Sequence, residues 1–168
     1  MRTVNIFSYN ELSEQAKENA YQQWLKKDRE FFYGIEYVDT LKKGLEHFDF
    51  ELKDYSFDYF CASDGYFKIE SNLDEEVLEL TGNELKDYLL ENYSEKRSIF
   101  RPHDFVNVFS KNCEFTGVCC DESFLQPVND FLENPTNDNL HDLMKECINS
   151  LMKDLESDYE FTKSKEYF

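Results

Sequence analysis

Glycine and proline are scarce in this chain of 168 residues, which contains five glycines and three prolines. Loops that cradle phosphate groups need closely spaced glycines, because their backbone must approach the ligand. The low glycine content excludes P-loop and Rossmann enzymes. The sequence also lacks a G-x-S-x-G nucleophile elbow and a local cysteine–histidine signature. We therefore predict that the chain is not an enzyme, and an enzyme whose site is assembled only in space stays the open alternative.

Long hydrophobic runs are absent as well. A membrane-spanning helix needs about 18 consecutive apolar residues, and no stretch of the sequence provides them. Residues 1–14, MRTVNIFSYNELSE, contain no long apolar segment before a small-residue cleavage site. The five cysteines are an odd number without the regular spacing of a secreted disulfide framework. These features predict a soluble cytoplasmic protein, not bound to a membrane, whose thiols are mostly buried.

Metal-binding patterns are missing too, since the sequence has no C-x-x-C and no H-x-x-x-H. The side chains considered as zinc ligands are His47, His103, His141, Cys113, Cys119 and Cys120. In a strand, Cys119 and Cys120 would point to opposite faces, so one ion could not easily use both. We predict no metal site and no other cofactor.

Basic residues are outnumbered 18 to 36 by acidic ones, which gives a formal net charge of −18. Direct binding to nucleic acid uses Lys and Arg to neutralise phosphates, so this charge disfavours nucleic acids and anionic membranes as partners. The net charge is −2 in residues 1–50, which hold 9 acidic and 7 basic residues. It is −8 in 51–100, from 13 and 5, and −8 in 101–168, from 14 and 6. We expect a basic or neutral protein as the partner.

Aromatic residues are abundant, at 17% of the chain, so the sequence can build a core despite its charge. No internal repeat and no linker divides it, and residues 1–168 are predicted to form one domain. The residue pattern predicts an α+β fold in which a small antiparallel sheet packs with several helices. Its longest element is a C-terminal amphipathic helix.

The individual elements follow from periodicity and capping signals. We predict a strand at 3–8, a helix from Ser13 to about Phe32, a break at Gly34 and a second helix ending near His47. A hairpin follows, with strands 57–62 and 66–70 joined by a Ser63-Asp64-Gly65 turn able to take positive φ. Further on we predict a turn of helix in 74–80 and a helix at 81–93, which begins with a Thr81–Glu84 capping box. Two strands are predicted at 105–110 and 113–120. The next predicted helix starts at Pro127 and stops before Pro135.

The clearest pattern lies near the C-terminus, where apolar residues recur at i, i+3, i+4 and i+7 over four turns. They are Leu140, Leu143, Met144, Cys147, Ile148, Leu151, Met152 and Leu155. Only a long amphipathic helix satisfies this spacing. Residues 158–162, DYEFT, are predicted to leave the helix and close the sheet.

Acidic residues form rows at helical spacing. Asp138, Asp142 and Glu146 recur every four residues on the predicted long helix, about 6 Å apart, a spacing comparable to that of phosphates along one strand of a duplex. Glu84, Asp87 and Glu91 form a second row, and Asp74, Glu75, Glu76 and Glu79 form an oxygen-rich cluster able to bind divalent cations loosely. These ten residues are the predicted partner-binding surface. The alternative interpretation is a solvated surface that keeps an aromatic-rich protein soluble.

Three segments carry a resemblance: residues 4–20, VNIFSYNELSEQAKENA, followed by Trp24; residues 57–69, in which a Cys and an Asp-Gly turn lie between aromatic residues; and residues 159–162, YEFT. They resemble a diffuse family of small bacteriophage and prophage proteins that open with a strand and an E-L-S-x-x-A-K-x-x-A helix. The family's turn usually carries Gln-Gly-Asp-Gly, where this chain has Ala62-Ser63-Asp64-Gly65. The resemblance implies a mobile-element origin and expression inside a bacterial cell, and it implies no catalytic residue.

In size and acidity the chain is similar to anti-CRISPR and antirestriction proteins. The leading hypothesis is a phage-encoded, non-enzymatic inhibitor of a basic nuclease or effector complex of the host, which it binds through an acidic surface that imitates nucleic acid. One alternative is a phage accessory or assembly protein whose acidity serves solubility. The other is an enzyme with a site not visible in the sequence.

Overall fold

Six α-helices and one β-hairpin form the part of the chain that the structure, a computed structural model, describes: residues 8–26, 33–93, 115–116 and 120–166. In chain order the elements are α1 (Glu14–Leu25), α2 (Tyr33–His47), β1 (Phe50–Ser56), β2 (Tyr66–Ser71), α3 (Glu75–Leu78), α4 (Gly82–Tyr93), α5 (Cys120–Glu133) and α6 (Leu140–Thr162). This arrangement confirms the predicted α+β fold with a small antiparallel sheet and a long C-terminal helix. That all of residues 1–168 belong to one domain stays a prediction.

The hydrophobic core lies around α6, which packs against α5 and α2. All eight apolar residues that predicted this helix are buried. Burying such a side chain stabilises the fold by about 1.5–3 kcal/mol relative to leaving it exposed, so this stripe supplies much of the driving force for folding. None of the described helices combines the length and the apolar composition needed to cross a membrane.

Helices α2 and α5 approach closely at Gly44. A Cβ added at Gly44 would lie 2.6 Å from Cε1 of the Phe124 ring, which is fully buried. Because that distance is far below van der Waals contact, only glycine permits the observed packing. Leu41 and Leu45 on either side of Gly44 complete the buried face of α2.

The hairpin is confirmed, but its first strand is β1 at Phe50–Ser56 and not residues 57–62. Residues 57–65 form the connecting loop, which includes a 3-10 turn at Ala62–Asp64. Gly65 has a φ of −65°, so the predicted positive φ in this turn is wrong. Tertiary contacts determine the conformation of this loop. Ala62 is fully buried, and the N–H and Oγ of Ser63 donate to the Glu156 carboxylate at 2.7 and 2.8 Å.

The first helix starts where the sequence predicts, since the Ser13 hydroxyl accepts the Ala16 N–H at 3.3 Å. Its end was predicted wrongly: α1 stops at Leu25 with Lys26 as the C-cap. Gly34 lies inside the first turn of α2 and does not separate two helices. There it makes room for Tyr59, whose hydroxyl would be 2.3 Å from an added Cβ. Residues 3–7 of the predicted first strand lie outside the described residues.

Three further predictions were wrong. Phe115 and Thr116 form a bend and Cys120 opens α5, so the predicted strand does not extend through these positions; 105–114 and 117–119 lie outside the described residues. Pro127 therefore lies inside α5 and not in its first turn. Residues 158–162 continue α6 and do not form a strand. The Tyr159 ring contacts the rings of Tyr59 and Phe60, at centroid distances of 6.1 and 4.7 Å, which favours two more helical turns.

Candidate acidic interface

Helices α3 and α4 present the densest negative charge among the described residues. Residues 74–93 contain seven acidic side chains and one basic one, Lys86. All seven carboxylates are exposed: Asp74, Glu75, Glu76, Glu79, Glu84, Asp87 and Glu91. We call this set the acidic face. None of its members forms an ion pair with a described residue.

The orientation of α4 follows from its apolar residues. Leu85, Leu89 and Tyr93 are fully buried, which fixes the side of the helix that meets the core. Glu84, Asp87 and Glu91 fall at i, i+3 and i+7 on another side and point to solvent. Like charges at i and i+4, such as Asp87 and Glu91, destabilise a helix by a few tenths of a kcal/mol. The pair formed by Asp87 and Glu91 therefore does not serve the stability of the helix.

The row predicted on α6 is less regular than its spacing suggests. Asp138 precedes the helix, because Asn139 is the N-cap and accepts the Asp142 N–H at 3.0 Å. The Asp138 carboxylate accepts a hydrogen bond from the Thr136 hydroxyl. Asp142 is half-buried and forms an ion pair with Lys145 at 3.2 Å. Of the three predicted members, Glu146 is the one that lies exposed on the helix.

The helices that carry the two rows begin side by side. Thr81 and Asn139 form an isolated antiparallel bridge, which joins the residues just before α4 and α6. Gly82 takes a φ of +57° there, a left-handed conformation that favours glycine. Glu84 and Asp142 lie in the first turns of these two helices, where negative charge also stabilises the helix dipole by about 0.3–1 kcal/mol. Glu79 and Asp138 are close in sequence to the bridge, so the junction connects the acidic face to the start of α6.

Several other acidic residues bind internal donors and were missed by reasoning from the sequence. The buried carboxylate of Asp121 accepts the backbone N–H groups of Phe115 and Thr116, both at 2.8 Å. It also accepts the hydroxyls of Thr40 and Thr116, at 2.6 and 2.8 Å. The one signal in the sequence was that Asp121 stands three places before the apolar pair Phe124-Leu125, a position typical of an acidic residue in a first helical turn.

Acidic residues in the C-terminal half of α6 also accept hydrogen bonds from internal donors. The Tyr37 hydroxyl lies 3.1 Å from Oδ2 of Asp154 and 2.8 Å from Oδ2 of Asp158, and Ser123 donates to Asp154 at 2.8 Å. Burial, together with hydrogen bonds to both carboxylates, raises the pKa of Tyr37 well above its usual range. Part of the negative charge of the chain is therefore structural.

The described residues contain no group of three or more His, Cys, Asp or Glu side chains that could hold a metal ion. Burial raises the pKa of Cys120 to about 11 and raises that of Cys147 further, so both thiols are protonated at neutral pH. Their predicted burial is confirmed, whereas Cys61 is exposed. Cys113, Cys119 and His103 lie outside the described residues.

The acidic face is thus a dense cluster of exposed carboxylates within the described residues. Carboxylates that point to solvent and form no ion pair with a described residue favour a cationic surface as a binding partner. Comparison of the chain with protein-family models, with curated proteins and with solved structures found no match.

Proposed function

We propose that this chain is a phage-encoded, non-enzymatic inhibitor that binds a basic, nucleic-acid-binding defence protein of a bacterial host, as anti-CRISPR and antirestriction proteins do. The acidic face on α3 and α4 occupies the groove in which the partner holds nucleic acid. Asp138, Asp142 and Glu146 extend this surface across the Thr81–Asn139 junction. Such an inhibitor acts in the cytoplasm of the host cell.

One observation carries the proposal: seven exposed carboxylates and a single lysine within residues 74–93, with no described ion pair among the seven. A groove that binds nucleic acid is lined with Lys and Arg that neutralise phosphates. Carboxylates that recur along α4 about 4.5 and 6 Å apart, at 1.5 Å rise per residue, offer such a groove a row of negative groups. Opposite charge steers the two surfaces together and makes association fast and dependent on salt.

Stability and solubility explain the acidic face less well than binding does. A net charge of magnitude about 2–8 usually keeps a small domain soluble, and excess like charge destabilises the compact state. The structural acids are a different set, because Asp49, Asp121, Asp154, Glu156 and Asp158 all bind internal donors. The seven carboxylates of the acidic face have no such role in the described structure, which favours a role in binding.

The first experiment is capture from a bacterial lysate on immobilised protein, followed by identification of what is retained. We expect a nucleic-acid-binding protein to be retained at about 100 mM salt and released at about 1 M, where the screening length falls to about 3 Å. The test variant carries Glu84→Gln, Asp87→Asn and Glu91→Gln and should lose the captured protein.

A control variant separates the local surface from the total charge. Glu122, Asp130 and Glu133 are exposed on α5, so Glu122→Gln, Asp130→Asn and Glu133→Gln change the net charge by the same three units. We expect the α5 variant to retain the partner. Equal loss in both variants would show a non-specific effect of charge, and retention in both would exclude α4 as the binding surface.

A further inference from the structure

A groove of about 360 Å³ runs between β2 and α6, on residues that the acidic face does not include. Five consecutive residues, 65–69, line one wall. Four of them, 66–69, belong to β2. Consecutive residues of a strand point to opposite faces of the sheet, so a wall that contains all four is the edge of the strand and not one of its faces. Among the described strands, β2 pairs with β1 alone, which leaves this edge without a described strand partner.

The other wall is one side of α6. His141, Lys145, Ile148 and Asn149 line it at i, i+4, i+7 and i+8. The helix runs antiparallel to β2, because the His141 ring lies 6.1 Å from Phe50, the partner of Ser71, while Glu156 binds Ser63. Eight residues of helix span about 12 Å, and an extended segment of the length of residues 65–69 spans about 13 Å. The two walls match in length and leave space for about four residues of extended peptide.

The residues that line this groove carry no negative charge, unlike the chain as a whole. Lys68, Lys145 and His141 line it, and no Asp or Glu does. Lys68 pairs with Glu70 at 3.4 Å and Lys145 with Asp142 at 3.2 Å, but exposed pairs of this kind are weak, so both ammonium groups can turn to a ligand. Burial, and to a smaller extent the nearby Lys145, lowers the pKa of His141, and the nearby Asp142 opposes this shift.

We propose that this groove binds a short extended peptide carrying one carboxylate, which adds as a strand to the edge of β2. Backbone hydrogen bonds to the strand edge provide affinity, as in other cases of strand addition. Lys68 and Lys145 hold the carboxylate, and Ile148 contacts an apolar side chain at the opposite end. A single carboxylate is favoured over an acidic run, because the net charge of −18 repels polyanions.

This inference does not depend on the acidic face. The probe is the blocked peptide acetyl-Val-Glu-Val-Tyr-amide, titrated into ¹⁵N-labelled protein, with the Gln peptide and a backbone N-methylated peptide as comparisons. We expect amide shifts at 65–69 and 141–149 and a rise in the pKa of the His141 ring on binding. The Gln peptide should bind about fivefold more weakly. The N-methylated peptide should bind more weakly still, because it cannot complete the strand hydrogen bonds.

Lys145→Gln should weaken binding of the Glu peptide and leave binding of the Gln peptide unchanged. The matched control is Lys153→Gln, which removes an exposed lysine farther along the same helix and should leave binding unchanged. The proposal is overturned if the shifts map elsewhere, if Glu and Gln peptides bind equally, or if Lys145→Gln has no effect. It is also overturned if those amides of residues 66–69 that point away from β1 resist hydrogen exchange in the free protein and no peptide shifts them, since another segment or a second copy then covers the edge.

Discussion

The Thr40 hydroxyl donates a 2.6 Å hydrogen bond to Oδ1 of Asp121, and both residues are fully buried. This bond ties the middle of α2 to the first turn of α5. The other carboxylate oxygen accepts the N–H groups of Phe115 and Thr116, which holds that bend against both helices. A buried carboxylate with four donors is well compensated, so its removal leaves several buried donors without a partner.

Asp121→Ala is expected to lower the free energy of unfolding by about 3 kcal/mol, because it leaves two backbone N–H groups and two hydroxyls without their shared acceptor. Asp121→Asn keeps part of the acceptor capacity and should give a smaller loss. Urea unfolding measures both. The neighbouring exposed acid supplies the control, since Glu122→Ala should change stability by no more than about 0.5 kcal/mol. Similar losses at the two positions would contradict the role of Asp121.

Asp49 joins α2 to β1 in a left-handed conformation with a φ of 60°, and it accepts the Tyr93 hydroxyl at 3.0 Å. Asp49→Ala should lower stability by about 1–2 kcal/mol, since alanine tolerates this φ poorly and the hydrogen bond is lost. Asp49→Asn keeps both features and should be nearly neutral. Thermal unfolding of the two variants measures both effects. If the Asn variant is as unstable as the Ala variant, neither the left-handed conformation nor the hydrogen bond explains the contribution of Asp49.

Gly44 is the contact point of α2 and α5. Gly44→Ala places a methyl group against the Phe124 ring and should destabilise the fold by about 1–3 kcal/mol through overpacking. Lys43→Ala, at an exposed position on the same helix, is the matched control and should be close to neutral. If Gly44→Ala were stabilising, as glycine replacement in an open helix is, the two helices could not be as close as the structure has them.

Alkaline pH should destabilise the protein. Burial raises the pKa of Cys120 to about 11, from 9.0, and raises those of Cys147, Tyr37 and Tyr93. The unfolded chain therefore loses these protons at lower pH than the folded chain, and stability present below about pH 9 falls as the pH rises toward 11. Urea midpoints at pH 8, 9.5 and 11 should fall in that order. Tyr37→Phe should make the decrease in stability above pH 10 less steep. Equal urea midpoints at pH 8 and pH 11 would show that burial does not raise these pKa values.

The sequence predicts elements well where one local signal decides. The eight apolar positions of α6 identify that helix, and the Ser13 cap identifies the start of α1. Prediction from the sequence fails where tertiary contacts determine the local structure. Residues 158–162 have strand-like composition but stay helical against Tyr59 and Phe60. Pro127 resembles a helix start, yet α5 begins at Cys120, where the buried Asp121 binds the preceding bend.

For the candidate site, the sequence predicted the positions of the acidic residues but not their contacts. Spacing identified Glu84, Asp87 and Glu91 as one row, and the structure places all three in solvent on α4. Spacing could not show that Asp138 precedes its helix, that Asp142 pairs with Lys145, or that Thr81 bridges Asn139. These relationships depend on side-chain geometry and on contacts distant in sequence, which a helical repeat does not encode.

The most direct test of the central claim is displacement of a fluorescein-labelled duplex from the captured partner, followed by fluorescence anisotropy. We predict that the wild-type chain releases the duplex in proportion to its concentration and that the α5 control variant does the same. The α4 variant, with Glu84→Gln, Asp87→Asn and Glu91→Gln, should release at least about tenfold less at equal concentration, because three contacts to cationic groups are lost. Release by the α4 variant equal to that by wild type would contradict the proposal that the acidic face imitates nucleic acid.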